Sequence, residues 1–184
     1  MTRHSLHVEP HGTLEIARHY VRELIYGAND GIITTFAVVA GVAGGGLSLR
    51  VVLIIGAANL FADGLSMAVG NYLSIRSHES VLETQDLPQE EASPFRHAGA
   101  TFLAFVVAGA LPLMPYMIPM LPIDRFVLSI AFTFLAMFVV GATRALIANV
   151  RWWKAGLEMS GLGVVVAALA YASGGVAAAF LGRA

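Results

Sequence analysis

Cysteine is absent from the 184 residues, which excludes disulfides and thiolate metal sites. Any metal ligand must therefore be an Asp, Glu, His, Met or Asn side chain, or a backbone carbonyl. Charge is also scarce. Only 12% of residues are Asp, Glu, Lys or Arg, against the ~25% usual in a soluble domain. A formal net charge of −1 gives no electrostatic footing for nucleic acid. The first stretch of chain is polar and has no apolar core of the secretory kind, so a cleavable signal peptide is not expected.

What replaces charge is apolar surface: 57% of residues are hydrophobic and the mean hydropathy is +0.73. Roughly 20 apolar residues in a helix cross a bilayer, and five such runs are predicted, over 31–49, 51–75, 98–120, 126–147 and 155–181. The expected fold class is an all-α integral membrane protein with five transmembrane helices. Pro112, Pro115 and Pro119 predict a kink or an early end to the third span. Trp152 and Trp153 suit a membrane interface between the fourth and fifth.

Before the first span, residues 13–27 read as an amphipathic surface helix that turns near Gly27. Leu14, Ala17, Val21, Leu24 and Ile25 share one face, with Glu15, Arg18, Arg22 and Glu23 opposite. Residues 1–12 read as a disordered cytoplasmic tail. The membrane domain then covers 28–184, with a short acidic linker over 76–95.

Five spans put the termini on opposite sides. Arg3, Arg18, Arg22, Arg76, Arg96, Arg144, Arg151 and Lys154 fall on one side; Arg50, Arg125 and Arg183 fall on the other. By the positive-inside rule the N-terminus is cytoplasmic and the C-terminus outside.

Asp63 lies in the middle of the second run. A carboxylate there costs on the order of 2.5–3.5 kcal/mol to insert, so such residues usually face a polar pathway or a partner. No Lys or Arg occupies the middle of any run to pair with it. Asn59, Asp63, Met67 and Asn71 recur every four residues and so form one slowly drifting ridge, with members about 6 Å apart. Met67 alone is more often ordinary packing, and either Asn alone more often an interhelical hydrogen bond. Together they supply a carboxylate and amide oxygens, which suit Mn²⁺ and Fe²⁺, and a thioether, which beside an Asp fits Fe²⁺ better than Mg²⁺ or Ca²⁺.

In the first run Asp30 and Thr34 share a face; Asp30 reads either as part of the same path or as a helix N-cap. Gly27-xxx-Gly31 and Gly41-xxx-Gly45 permit close helix approach. One polar ridge makes a poor sealed pore, and a symmetric homodimer that brings two together makes a better one.

Glu79, Glu83 and Asp86 fall on one face if the second helix continues past the membrane to Pro88. They read as cation capture or as a solvated charged segment. All six histidines fall on the cytoplasmic side, either as a metal-collecting face or because those loops are longer. Glu158 is expected to pair with Arg144, Arg151 or Lys154. An intramembrane hydrolase is disfavoured: Ser66 lacks a Gly-x-Ser-x-Gly elbow, and no histidine lies in a span to serve as its base.

Two stretches carry a resemblance. Tyr26 to Phe36 (YGANDGIITTF), leading to Ala40-Gly41-Val42-Ala43-Gly44, resembles the first span of the vacuolar iron transporter family. Asp63 to Ser74 (DGLSMAVGNYLS) is similar to its second-span signature. Gly109-Ala110-Leu111-Pro112-Leu113 and Gly156-Leu157-Glu158-Met159 are similar to later, less specific patches, and the resemblance covers 13–181.

It implies a five-span dimer that exports Fe²⁺, and often Mn²⁺, from the cytosol in exchange for protons. The path would run between the first and second spans of both protomers. By this resemblance Asp30 and Met67 match path residues, and Asp63 matches the family's bacterial variants. Two features depart from it. Asn71 stands where many members have Glu, and a short linker replaces the large acidic cytoplasmic metal-binding domain of many members. The expectation is thus a transporter rather than an enzyme, in a bacterial inner membrane. Its partners are a divalent metal, protons, the lipid bilayer and a second copy, and it has no prosthetic group. The rival is a non-transporting membrane metal sensor or scaffold.

Overall fold

The computed structural model describes residues 5–6, 12–119, 122–148 and 151–182. Among the described residues seven α-helices follow in order: α1 Thr13–His19, α2 Val21–Gly44, α3 Leu49–Thr84, α4 Pro94–Gly109, α5 Met114–Met117, α6 Arg125–Ala148 and α7 Trp152–Leu181. A 3₁₀ turn, Leu111–Leu113, joins α4 to α5. Five helical stretches are long and apolar enough to cross a membrane: α2, α3, the α4–α5 unit, α6 and α7. Of the N-terminal tail, Ser5 and Leu6 are described, and the Leu6 amide donates to the carbonyl of Gln89 at 2.8 Å. His4, His7 and His11 lie outside the described residues.

The first crossing helix begins ten residues before the predicted start at Gly31. The chain breaks at Tyr20 (φ −95°, ψ 12°) and then runs unbroken from Val21 through Gly27 and Asp30. Asp30 is therefore interior to α2, and the N-cap reading of this residue is excluded. At the other end α2 stops at Gly44 instead of Leu49. Gly46 takes φ +66°, and the amides of Gly46 and Leu47 return to the carbonyls of Ala43 and Val42 at 3.0 and 3.1 Å. This is a Schellman closure, which a left-handed residue permits.

α3 has 36 residues. At 1.5 Å per residue it is about 54 Å long, well beyond a ~30 Å hydrocarbon core, so its C-terminal turns stand clear of the apolar slab. Beyond Gly109 the proline-rich segment gives the expected break in the third span, and the carbonyl of Pro112 accepts a 2.7 Å hydrogen bond from the buried Ser129 hydroxyl of α6. α6 is capped by Asp124, whose Oδ1 accepts from the amides of Phe126 and Val127 at 2.9 and 3.0 Å.

α2 is the central element, packed against α4, α7, α3 and α6. Its approach to α4 is close: a Cβ on Gly27 would lie 2.6 Å from the Thr101 carbonyl oxygen, and one on Gly31 would collide with the Phe105 backbone. Phe36, Val39, Leu60 and Phe105 form the heart of the main core. α3 packs on α4 and α2 at one edge, and α7 lies on α2 and α6 at the other.

Candidate ion path

Val52, Gly56, Leu60, Gly64 and Ala68 recur every four residues along α3, and all are buried. A Cβ on Gly64 would already touch Phe105 and Val106 of α4 at 3.2 and 3.3 Å. The polar set Asn59, Asp63, Met67 and Asn71 has the same spacing, displaced by one residue. It therefore winds up α3 about 60–100° around from the packed stripe, on the border between the α4 contact and the open face. All four side chains are half-buried. Asn59 Nδ2 donates to Asp63 Oδ2 at 2.8 Å, which fixes that carboxylate along the ridge.

On α2, Asp30 and Thr34 lie one turn apart, and both are half-buried. Thr34 Oγ1 donates to the Asp30 backbone carbonyl at 2.8 Å, so its oxygen lone pairs remain acceptors. Asp30 and Asp63 are close enough to interact electrostatically, although they come from different helices. Among the described residues, no Lys, Arg or His forms an ion pair with either acid.

A cavity of about 390 Å³ opens next to the ridge, lined by Arg22, Glu23 and Tyr26 of α2, Met67, Gly70, Asn71 and Ser74 of α3, and Thr101 of α4. Asn71 Nδ2 donates to Thr101 Oγ1 at 3.0 Å, and Thr101 Oγ1 in turn donates to the His97 carbonyl at 3.0 Å. One helical turn beyond Tyr26 on α2 is Asp30, and one turn beyond Met67 on α3 is Asp63. Neither carboxylate lines the cavity itself, and each lies one turn from its lining. Carboxylate, thioether and amide oxygen along such a line can replace the water ligands of a divalent cation in steps.

Of the three acids read as cation capture, Glu79 and Glu83 line one shallow pocket, and Asp86 is not part of its lining. Glu79 Oε1 accepts the amides of Glu90 and Glu91 at 3.0 and 2.7 Å, which ties the α3–α4 connection to α3. Arg76 and Glu91 line the pocket that Glu79 and Glu83 share. α3 ends at Thr84, short of Pro88, and Asp86 sits past its end with φ +53°. Glu158 pairs with Arg144 at 3.5 Å on the surface.

Thr101 and Glu23 were not singled out for the path from the sequence. Thr101 looks like any small polar residue of a span. Helical periodicity puts Glu23 on the solvent side of an amphipathic helix, yet it is 7% exposed. Only its neighbours in space could have identified it.

The VIT family sequence profile matches residues 21–92 and 80–175, and the two matches meet in the α3–α4 connection. Vacuolar iron transporter 1 of Arabidopsis thaliana is 25% identical over 222 aligned positions, which take in 90% of this chain and 88% of the relative. Vacuolar iron transporter 1 of Eucalyptus grandis is likewise 25% identical, with the same coverage. Vacuolar iron transporter of Toxoplasma gondii is 41% identical over 71 residues, 39% of this chain and 24% of the relative. With the profile matched from the start of α2 into α7, the chain belongs to the VIT family.

Proposed function

We propose that the protein carries Fe²⁺, with Mn²⁺ as an alternative substrate, out of the cytosol across a membrane in exchange for protons. The metal path is formed by Asp30, Thr34, Asn59, Asp63, Met67 and Asn71 between α2 and α3. Two copies meet along this face, with the N-terminus cytoplasmic and the C-terminus outside. The observation that carries the reading is the carboxylate pair Asp30 and Asp63, half-buried within two apolar helices and, among the described residues, without an ion-pair partner. Acids held without a cation inside an apolar slab are costly, and a passing dication offsets that cost. The names of the relatives agree with metal transport as the general activity.

Coupling follows from shared occupancy. A carboxylate that binds a dication is held in its ionised form, and one that is protonated binds the dication poorly. Metal and proton therefore alternate at Asp63 and Asp30, and opposite gradients drive opposite movements. The thioether of Met67 favours the softer Fe²⁺ over Mg²⁺ and Ca²⁺.

The test uses purified protein in liposomes loaded with a metal-quenched dye or a pH dye. Asp63→Asn is expected to lower Fe²⁺ flux at least tenfold and to abolish the associated proton movement. A variant that moves Fe²⁺ and protons at the parental rate would rule this mechanism out. Metal binding without flux in the parent protein would instead support a membrane sensor.

A further inference from the structure

We propose that His19, Glu91 and His97 form a binding site for one divalent transition-metal ion, outside the ion path. The three residues come from α1, the α3–α4 connection and α4, so only the fold brings them together. Each offers one ligand atom, and the three atoms lie within 4.8 Å of one another. Glu91 Oε2 is 2.9 Å from His97 Nε2 and 4.0 Å from His19 Nε2. First-row metals hold N and O donors at about 2.0–2.2 Å, which puts neighbouring donors about 3–4 Å apart. A modest movement of His19 closes the set around an ion.

The donor chemistry selects the class of ion. Two imidazoles and one carboxylate suit Fe²⁺, Co²⁺, Ni²⁺ and Zn²⁺, whereas Mg²⁺ and Ca²⁺ take oxygen ligands. A second observation points the same way. Behind His97, on the ring nitrogen that faces away from Glu91, Glu23 Oε1 lies 3.2 Å from Nδ1. A carboxylate on the far nitrogen is the usual outer partner of a metal-ligating histidine, because it fixes the tautomer and makes the ring a better donor. The His97 and Glu23 side chains are 4% and 8% exposed, whereas His19 and Glu91 are 21% and 31% exposed. The inner pair is thus fixed in the bundle, and the outer pair leaves a way in from solvent.

Local structure supports each ligand. The break at Tyr20 aims His19 back at the bundle, and the His19, Tyr20 and His97 rings pack together with centroids 4.7 to 5.1 Å apart. Glu79 holds the backbone of Glu90 and Glu91. Glu23 also lines the cavity that contains Met67 and Asn71, so an ion bound here is separated from that cavity by one side chain. The site stands on its own geometry and does not depend on transport. The competing account is a metal-free latch, with His97 bridging Glu23 and Glu91 to pin the connection onto the bundle.

The experiment is Co²⁺ titration of full-length, metal-stripped protein without a histidine tag, followed by visible absorption. The background carries Asp63→Asn, His4→Gln, His7→Gln and His11→Gln, which removes the path acid and the tail histidines. One Co²⁺ per chain is expected to bind, undisturbed by a hundredfold excess of Mg²⁺. His19→Gln and Glu91→Gln, both at partly exposed positions, are each expected to weaken binding at least tenfold. Thermal melts of the metal-free variants check folding. Pulsed electron paramagnetic resonance of Cu²⁺ on protein in the same background should show two coordinated imidazoles, and one after His19→Gln. Binding that disappears in the background alone, or that survives both substitutions with a spectrum lacking imidazole, overturns the site.

Discussion

Glu23 and Leu24 are consecutive, and the acid is the buried one: Glu23 is 7% exposed and Leu24 39%. A hydrophobic-face argument gives the opposite order, because it scores each side chain against water and not against His97. Asp86 is a second case. It occupies the left-handed position after α3, where the amides of Asp86 and Leu87 return to the carbonyls of Glu83 and Leu82 at 3.2 and 2.9 Å. That geometry alone gives the chain a use for Asp at 86, since Asp tolerates positive φ better than most side chains. Asp86→Val is expected to destabilise by about 1–2 kcal/mol through the left-handed backbone. Asp86→Gly should be neutral or slightly stabilising. Melting temperatures of the purified variants check both, and a Val variant as stable as the parent would refute the account.

Among the elements, the α2–α4 contact depends on small residues, as the α2–α7 contact does at Gly44 and Gly174. Gly31 meets the Phe105 backbone, and a Cβ on Gly109 would lie 2.7 Å from the Gly31 carbonyl oxygen. Neither side can yield, because backbone faces backbone. Gly31→Val is expected to force the helices apart and lower thermal stability by several degrees, whereas Gly70→Ala, with open space around it, should leave stability nearly unchanged. The presence and number of crossing helices were legible, since a long apolar run leaves no other choice in a membrane. Their ends were less so. α2 gains its first three turns because Glu23 and Gly27 find α4, and α3 stops where Asp86 closes the Schellman turn and not where Pro88 would halt it.

At the scale of the whole molecule, both edge helices present apolar side chains outward: Leu65, Val69 and Leu73 on α3, and Leu169, Val176 and Phe180 on α7. Lipid can cover either edge, but only α3 carries the Asp63 ridge at the margin of that face. The proposed dimer therefore meets through α3. Because the chain has no cysteine, single introduced thiols report cleanly. Ser66→Cys, exposed beside the ridge, is expected to form a dimer with a short bis-maleimide in native membranes, and Leu169→Cys is not. The reverse pattern would place the partner on α7 and remove the shared path.

By itself the sequence determined an all-helical chain with five crossing runs, and it set a polar ridge with a carboxylate at the centre of the second. Those properties are local, since helical periodicity and apolar length are written in consecutive residues. Tertiary structure decided what sequence spacing cannot carry. It set Asp30 of α2 near Asp63 of α3, buried Glu23 against His97, and brought His19 and Glu91 to the same ring. Each of these joins residues distant along the chain, and helix packing alone fixes which of them meet.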